Sequence, residues 1–305
     1  RQWFEAASDA LTEAGLHGPS AIRSFTRDIQ KRSAARQDLR DDATRALESG
    51  QIRPWFQPQV CTDTGRVSGF EALARWNHPR HGLLPPDEFL PMLSELGLME
   101  RLGDIILAGS MTALRAWDAA GAAVPKVAVN VGTDQLRDPA LTDRVRWELD
   151  RNNLTADRLA VEIVETVVSE RPDDMVTRNI RSLADLGCVI ELDDFGTGHA
   201  SISAIRRFRI SRIKIDRSFI LKADRDPEQQ RLIGAILSMA ERLDLDTVAE
   251  GVETVGEHAL LAQLGCGHVQ GFGIGRPMPF EQTLPWLDEH RAKLSSVPEI
   301  RRNTG

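Results

Sequence analysis

The stretch from Val189 to Ser201, which reads VIELDDFGTGHAS, decides how this chain is interpreted. It opens with a short apolar run, Val189 to Leu192, of the kind that forms a buried strand. The run ends in two adjacent carboxylates, Asp193 and Asp194, followed by a Gly-Thr-Gly turn. Adjacent strand residues point to opposite faces, so the two aspartates can share a cation only where the strand ends and the backbone turns. We expect the glycines to supply that turn.

The composition is that of a soluble globular protein. The chain has 305 residues, of which 41% are apolar and 27% charged. This length suits one large domain of about 250 residues with a short appendage. No apolar run approaches the roughly 20 residues that a membrane-spanning helix needs. The formal net charge of -7 argues against a nucleic-acid polymer as the main partner.

The chain begins at Arg1 and not at a methionine, and we interpret it as a piece of a longer protein. Its three cysteines, Cys61, Cys188 and Cys266, are odd in number and include no CxxC pair. They predict reduced thiols of a cytoplasmic protein, and neither a disulfide framework nor a zinc site. We expect no membrane contact by this piece, while anchoring of the parent protein at the inner membrane is left open.

The spacing of apolar and turn residues predicts a hairpin followed by alternating helices and strands. The hairpin strands cover residues 52–61 and 66–76. Further strands are predicted at 126–131, 158–164, 188–193, 210–216, 247–250 and 268–271, each after at least one helix. This order predicts an α/β fold, a TIM-like (β/α)8 barrel whose first strand is antiparallel because of the hairpin. An open doubly wound sheet is the alternative, ranked lower because no Gly-rich phosphate loop follows the first strand.

Polar side chains lie within or at the end of nearly every predicted strand. They are Glu71, Asn130, Glu162, Asp193, Asp194, Lys214, Glu250 and Gln270. In a parallel barrel the carboxyl ends of the strands form the active site, so we expect these side chains to converge. In the strand RIKID, Lys214 lies between two isoleucines and should point into the barrel, towards the carboxylates.

The residue types at these strand ends select the chemistry. Five carboxylates and an amide, without cysteine or histidine, favour Mg²⁺, Mn²⁺ or Ca²⁺ over zinc. Five carboxylates exceed what one Mg²⁺ takes, so two ions bridged by an aspartate are expected. Such a pair suits attack at phosphorus, and the residues therefore predict phosphoester hydrolysis. A glycosidase that uses two of the acids is the competing enzyme, but it leaves Asn130 and Lys214 unexplained.

Seven ordered motifs give the chain a resemblance to a known family. They are FEALARW, VNVGTDQL, VEIVET, LDDFGTG, IKID, VAEGVE and HVQGFGIGRPMP, all between Ala46 and Trp286. In this order and spacing they resemble the EAL domain family of cyclic di-GMP phosphodiesterases. The resemblance implies a TIM-like barrel and hydrolysis of one phosphodiester of cyclic di-GMP to linear pGpG. It also implies two Mg²⁺ or Mn²⁺ ions, with Ca²⁺ inhibitory, and a homodimer through the barrel.

The resemblance implies a role for each polar strand residue. The ligands of the first metal are Glu71, Asn130, Glu162 and Asp193, and those of the second are Asp193, Asp194 and Glu250. Lys214, with Glu250, belongs to the catalytic group and holds the attacking water. The substrate contacts are Gln57, Leu73, Arg75 and Gln270, of which Gln270 also orders water near the metals. Glu165 braces the DDFGTG loop.

The chain departs from the family pattern in the loop after Gly198, where His199 and Ala200 replace a tyrosine and a serine. Val164 also replaces the usual threonine. These changes bear on loop stability and dimer coupling, since none of the residues is an implied metal ligand. The alternative to an enzyme is a catalytically silent receptor for cyclic di-GMP, but every implied ligand and Lys214 are present.

The remaining segments complete the predicted organisation. Residues 1–27, a helix over 1–15 and a short strand over 21–26, resemble the end of a GGDEF domain. Residues 28–50 resemble the helical linker that follows it, which we expect to face solvent. Residues 51–295 form the barrel and residues 296–305 a polar tail. We therefore expect a GGDEF-like domain upstream in the parent protein.

Overall fold

A computed structural model describes residues 27–169, 174–198 and 202–296 of the chain. The predicted first helix and strand, the polar tail after residue 296, and His199 with Ala200 lie outside the described residues. The described part falls into two compact units. One contains residues 27–52 and 76–98, and the other contains residues 53–75 and 99–296.

The described strands form one nine-stranded sheet that closes into a barrel. They are β1 (Ile52–Cys61), β2 (Val67–His78), β3 (Gly82–Leu84), β4 (Val127–Asn130), β5 (Leu159–Val164), β6 (Val189–Phe195), β7 (Arg212–Ile215), β8 (Asp246–Ala249) and β9 (His268–Gln270). The order is β1-β9-β8-β7-β6-β5-β4-β2-β3, and β1 also pairs with β2. Because β3 extends only the end of β2, the barrel has eight strands.

The strand directions agree with the predicted barrel. β1 is antiparallel to β9, whereas the other barrel strands, β2 and β4 to β9, run parallel to one another. The TIM-like barrel with an antiparallel first strand is therefore confirmed, and the open sheet is wrong. The hairpin explains the closed barrel, because one edge of β1 pairs with β2 and its other edge pairs with β9.

Helices separate the barrel strands. The described helices are α1 (Arg27–Glu48), α2 (Pro86–Glu95), α3 (Met99–Ala119), α4 (Thr133–Leu136), α5 (Leu141–Asn152), α6 (Glu165–Ser169), α7 (Asp174–Leu186), α8 (Ile202–Arg207), α9 (Arg217–Ile220), α10 (Pro227–Arg242), α11 (Val255–Leu264) and α12 (Phe280–Ser296). The sequence did not predict α4, α6 and α9, because helices of four or five residues leave no periodic apolar pattern. None of the described helices combines the length and apolarity that crossing a membrane requires.

Helix α1 does not face solvent along its whole length, in contrast to the sequence-based prediction of a solvent-facing linker. In its second half Leu39, Ala43, Ala46 and Leu47 are buried. Within the same unit Asp42 accepts a hydrogen bond from Arg80 at 2.8 Å and lies 3.2 Å from the ring nitrogen Nε2 of His78. These apolar residues recur every three or four positions and therefore share one face of the helix, which explains their burial. The high overall charge of the helix concealed this pattern in the sequence.

A buried ion pair lies inside the barrel, towards the amino-terminal ends of its strands. Glu191 and Arg212, each two residues before a predicted site residue, form an ion pair of 3.0 Å between Oε1 and Nη1. Their side chains are 0% and 3% exposed. Arg212 also donates to Asp246 Oδ2 at 2.7 Å through Nε. Strand alternation explains the inward direction, because residues i and i+2 share a face.

This buried pair yields a prediction about stability. Arg212→Ala leaves the Glu191 carboxylate buried and uncompensated, so we expect it to cost about 3–5 kcal/mol of unfolding free energy. Chemical denaturation followed by circular dichroism measures this loss. Adding Glu191→Gln should recover part of it by removing the orphaned charge. The matched control is Arg146→Ala, which breaks an exposed pair with Asp143 and should cost at most about 1 kcal/mol. Equal losses in the two arginine variants would contradict the prediction.

Candidate metal centre and active site

The two adjacent aspartates reach one face of the barrel through an irregularity inside β6. The pairing of β6 with β7 shifts register between Leu192 and Phe195. Asp194 there has a φ of 55°, in the left-handed region that non-glycine residues seldom adopt. The prediction that the glycines turn the backbone is confirmed at Gly196, which has a φ of 101° and follows the last residue of β6. The left-handed conformation of Asp194, two residues earlier, was not predicted.

This irregularity creates a cluster of three carboxylates. Asp193, Asp194 and Glu250 each offer an oxygen, and these atoms all lie within 4.8 Å of one another. Glu250 follows the last residue of β8 and its backbone N–H donates to Ile215 O at 3.0 Å. The ends of β6 and β8 thus meet across β7 at the carboxyl edge of the barrel.

Lys214 lies at the centre of the carboxylates, with its side chain 1% exposed. Its Nζ is 2.7 Å from Glu250 Oε1 and 2.9 Å from Glu162 Oε1. The same nitrogen is 3.2 Å from Asp193 Oδ1 and 3.6 Å from Glu71 Oε2. One ammonium group therefore contacts carboxylates from four strand ends.

Amide side chains hold Glu71 from both sides. Asn130 Nδ2 donates to Glu71 Oε1 at 2.9 Å, and Gln270 Nε2 donates to Glu71 Oε2 at 2.5 Å. Gln270 Oε1 in turn accepts from Gln59 Nε2 at 2.8 Å. Both carboxylate oxygens of Glu71 are thereby oriented. The network also fixes the orientation of the two amides, because each turns its NH2 group towards Glu71.

The charges in this cluster are unbalanced, and the pKa values respond. Burial raises the pKa of Glu162 well above its usual range, and Glu71 beside it raises it further. Burial, with Asp193 and Glu71 nearby, raises the pKa of Glu250 to about 8 although Lys214 opposes the shift. Burial and the neighbouring Asp193 also raise the pKa of Asp194. One lysine therefore does not neutralise the acids.

The pKa values of Glu71 and Lys214 move in the opposite sense. Burial raises the pKa of Glu71, but Lys214 and the bonds from Gln270 and Asn130 outweigh it, so the pKa lies below the ordinary value. For Lys214, burial favours the neutral amine, but the surrounding carboxylates prevail and hold its pKa well above 10.5. Lys214 is thus a charged ammonium at neutral pH.

These residues fit divalent cations with a preference for oxygen. Neither oxygen of the buried Glu162 accepts a well-aligned hydrogen bond from any described residue. Five carboxylates lie around the single ammonium group of Lys214, so divalent cations would supply positive charge that these residues lack. The available donors are carboxylates and one amide, which are ligands of Mg²⁺ and Mn²⁺.

The predicted substrate contacts Gln57, Leu73 and Arg75 lie on β1 and β2. Gln57 is buried, accepts from Gln270 at 3.1 Å and donates to Gly275 O at 3.0 Å. Arg75 is half-buried and its Nη1 donates to Ala74 O at 2.8 Å. Leu73 is half-buried on the same strand. Gln57 is therefore joined directly to the site through Gln270.

Glu165 lies beside the loop that follows β6. Its Oε2 accepts hydrogen bonds from the backbone N–H groups of Gly196 at 2.9 Å and Gly198 at 3.1 Å. A Cβ at residue 198 would lie 3.0 Å from the Glu165 carboxyl carbon, so glycine allows the close approach. One carboxylate thus holds two backbone N–H groups of the DDFGTG loop.

The sequence reading missed Gln59, which contributes to the site. Gln59 is 1% exposed and donates to Gln270, the side chain that holds Glu71. Its position two residues after Gln57 on a strand places both on one face, and this alternation could have identified it. Phe219, on the unpredicted helix α9, packs against the β6 loop and left no sequence signal.

The chain belongs to the EAL domain family, whose model matches residues 40–277. Among curated relatives, it is similar to the bifunctional diguanylate cyclase/cyclic di-GMP phosphodiesterase MucR of Pseudomonas aeruginosa. The two are 35% identical over 278 residues, which is 91% of this chain and 40% of MucR. The cyclic di-GMP phosphodiesterase NbdA of the same organism is 32% identical over 96% of this chain and 35% of its own length. The chain thus spans well under half of these relatives.

A third relative is shorter. The cyclic di-GMP phosphodiesterase RocR of Pseudomonas aeruginosa is 31% identical, over 89% of this chain and 71% of its own length. Among solved structures, the PaMucR phosphodiesterase in complex with c-di-GMP has a TM-score of 0.76 and 38% identity, covering 81% of this chain and 99% of that one.

Proposed function

We propose that this chain hydrolyses cyclic di-GMP to linear pGpG with the help of two divalent cations, Mg²⁺ or Mn²⁺. The observation that carries the proposal is the convergence of four carboxylates on the buried Lys214 at the carboxyl ends of the barrel strands, with Asp194 within 4.8 Å of two of them. Packing alone does not require so many acids at one point. The family and its cyclic di-GMP phosphodiesterases support cyclic di-GMP as the substrate.

The proposed roles follow the contacts. Glu71, Asn130, Glu162 and Asp193 would hold one ion, and Asp193, Asp194 and Glu250 would hold the other. When bound, such ions supply Lewis-acid activation of the phosphate and the attacking water. Lys214 would donate a hydrogen bond from Nζ that holds the water oxygen in line, while the nearby Glu250 keeps the ammonium in position. Gln57, Leu73, Arg75 and Gln270 would contact the substrate.

The regulatory context is also a proposal. MucR is named as both a diguanylate cyclase and a cyclic di-GMP phosphodiesterase, and this chain matches only 40% of its length. We propose that the parent protein likewise carries a GGDEF-like domain upstream. We further propose that the barrel forms a homodimer, in which the loop braced by Glu165 links dimerisation to metal binding.

The function is tested by incubating the purified chain with cyclic di-GMP and Mg²⁺ or Mn²⁺ and following pGpG by chromatography. We expect pGpG to form with either metal and to be suppressed by EDTA or Ca²⁺. Tight binding of cyclic di-GMP without turnover would instead identify a receptor. Neither binding nor turnover would contradict the assigned ligand.

Glu250 gives metal binding a pH dependence. Its pKa of about 8 without metal means that at pH 7 the carboxyl carries a proton, which a cation must displace. Mn²⁺ affinity should therefore rise as the pH increases from 6 to 8, by up to about tenfold per unit for one proton, and level off above 8. Titration of Mn²⁺ by electron paramagnetic resonance at each pH measures this. The slope should diminish in Glu250→Gln, and an affinity independent of pH between 6 and 8 would contradict the prediction.

A further inference from the structure

The short helix α9 touches the ends of both strands that carry the three-carboxylate cluster. It begins two residues after Ile215, the last residue of β7, which lies between β6 and β8 in the sheet. A Cβ added at Gly196 would lie 2.7 Å from Cε2 of Phe219. A Cβ added at Gly251 would lie 2.5 Å from the Cβ of Arg217. The backbone after Asp194 and the backbone after Glu250 therefore both rest on this helix.

The two glycines are required at these contacts for a second reason. Gly196 has a φ of 101° and Gly251 a φ of 69°, in the region that favours glycine. Both strands thus leave the barrel in conformations that bring the bare backbone onto α9. The contacts lie two residues beyond Asp194 and one beyond Glu250, so a shift of the helix would move these carboxylates.

The helix itself is firmly held. Asp216 Oδ1 accepts from Ser218 N at 2.9 Å and caps its start. Ile220 at its end is fully buried in a cluster with Ala249 and Leu261. Gln229 on α10 donates to Ser218 O at 3.1 Å. A helix anchored in this way can fix the distance between the ends of β6 and β8.

We propose that α9 sets the spacing between the Asp193–Asp194 pair and Glu250, and that Phe219 is a positioning residue for these carboxylates. The inference rests on the proposed function, because it gives the carboxylates the role of holding a cation. In this role Phe219 contacts neither cation nor substrate. It acts by supporting Gly196, while Glu165 binds the same loop from its own side.

The test measures Mn²⁺ binding in Phe219→Ala by electron paramagnetic resonance, apart from any turnover. We expect the dissociation constant to rise about tenfold, the loss typical when a residue that orients metal ligands is removed. Phe219→Leu should fall between this variant and the parent chain. In hydrolysis assays the Mg²⁺ concentration for half-maximal rate should rise similarly, with the rate at saturating Mg²⁺ largely recovered.

The matched control is Leu149→Ala, which removes a buried side chain from α5, outside the apolar cluster that holds Ile220. It should lower thermal stability without weakening Mn²⁺ binding. A Phe219→Ala chain that is folded and binds Mn²⁺ within twofold of the parent would overturn the inference. A parent chain that neither binds Mn²⁺ nor hydrolyses cyclic di-GMP would instead refute the proposed function.

A double-mutant cycle keeps the inference testable if the alanine variant folds poorly. Gly196→Ala forces a Cβ against the Phe219 ring and should weaken Mn²⁺ binding more than Phe219→Ala does. In the Phe219→Leu background the collision is relieved in part, so the same glycine substitution should cost less. Strictly additive effects of the two substitutions on Mn²⁺ affinity would contradict direct support of the loop by Phe219.

Discussion

Asp193→Ala should reduce the hydrolysis of cyclic di-GMP by at least about a thousandfold, the equivalent of 4 kcal/mol of lost transition-state stabilisation. Asp193 is the one carboxylate assigned to both proposed cations, and its Oδ1 also lies 3.2 Å from Lys214 Nζ. Its removal therefore affects both proposed metal positions at once. Initial rates of pGpG formation at saturating Mg²⁺ measure the loss.

The same substitution should leave the fold intact. Without metal, Asp193 lies among acids that repel one another, so Asp193→Ala should unfold in EDTA at the same temperature as the parent chain or a higher one. The stabilisation that Mg²⁺ gives the parent should disappear, because a ligand stabilises only the state that binds it. Asp143→Ala, which removes an exposed aspartate, is the control and should leave both properties unchanged. Turnover retained in Asp193→Ala would overturn the assignment of the metal centre.

Strand alternation made the centre of this site visible in the sequence. Lys214 lies between two isoleucines, so a strand with a buried outer face had to turn the lysine inward. The same rule pointed from Asp193 back to Glu191 and from Lys214 back to Arg212, which form the buried pair below the site. Neither residue lies at the carboxyl end of its strand, so the pattern of polar strand ends did not predict the pair.

The geometry of Asp194 could not be predicted in the same way. A left-handed φ at an aspartate depends on the register shift against β7, which is a tertiary property. The sequence indicated the turn at Gly196 but not the left-handed residue two positions before it. Support from α9 was equally hidden, because four residues carry no periodicity and a contact between Phe219 and Gly196 is distant in the chain.

Lys214→Ala should lower kcat by about two to four orders of magnitude, the range for a positioned proton donor or acceptor, with a much smaller change in KM. The buried ammonium is held by four carboxylates and has one fixed location from which to orient water. Steady-state kinetics with cyclic di-GMP at saturating Mn²⁺ measure both constants. Lys293→Ala, which alters an exposed lysine paired with Glu289, is the matched control and should leave them unchanged.

Metal binding by the same variant separates two roles that the contacts of Lys214 allow. If the lysine only balanced charge, its loss would leave the acids with a larger negative excess, and cations would bind more tightly and restore the rate. If it holds the attacking water, Mn²⁺ will bind as well as before or better, while kcat stays low at every metal concentration. We expect the second result, because cations can replace the charge of Lys214 but not its hydrogen bond to water. A Lys214→Ala chain restored to the parent rate by excess Mn²⁺ would therefore reduce the lysine to a counter-ion.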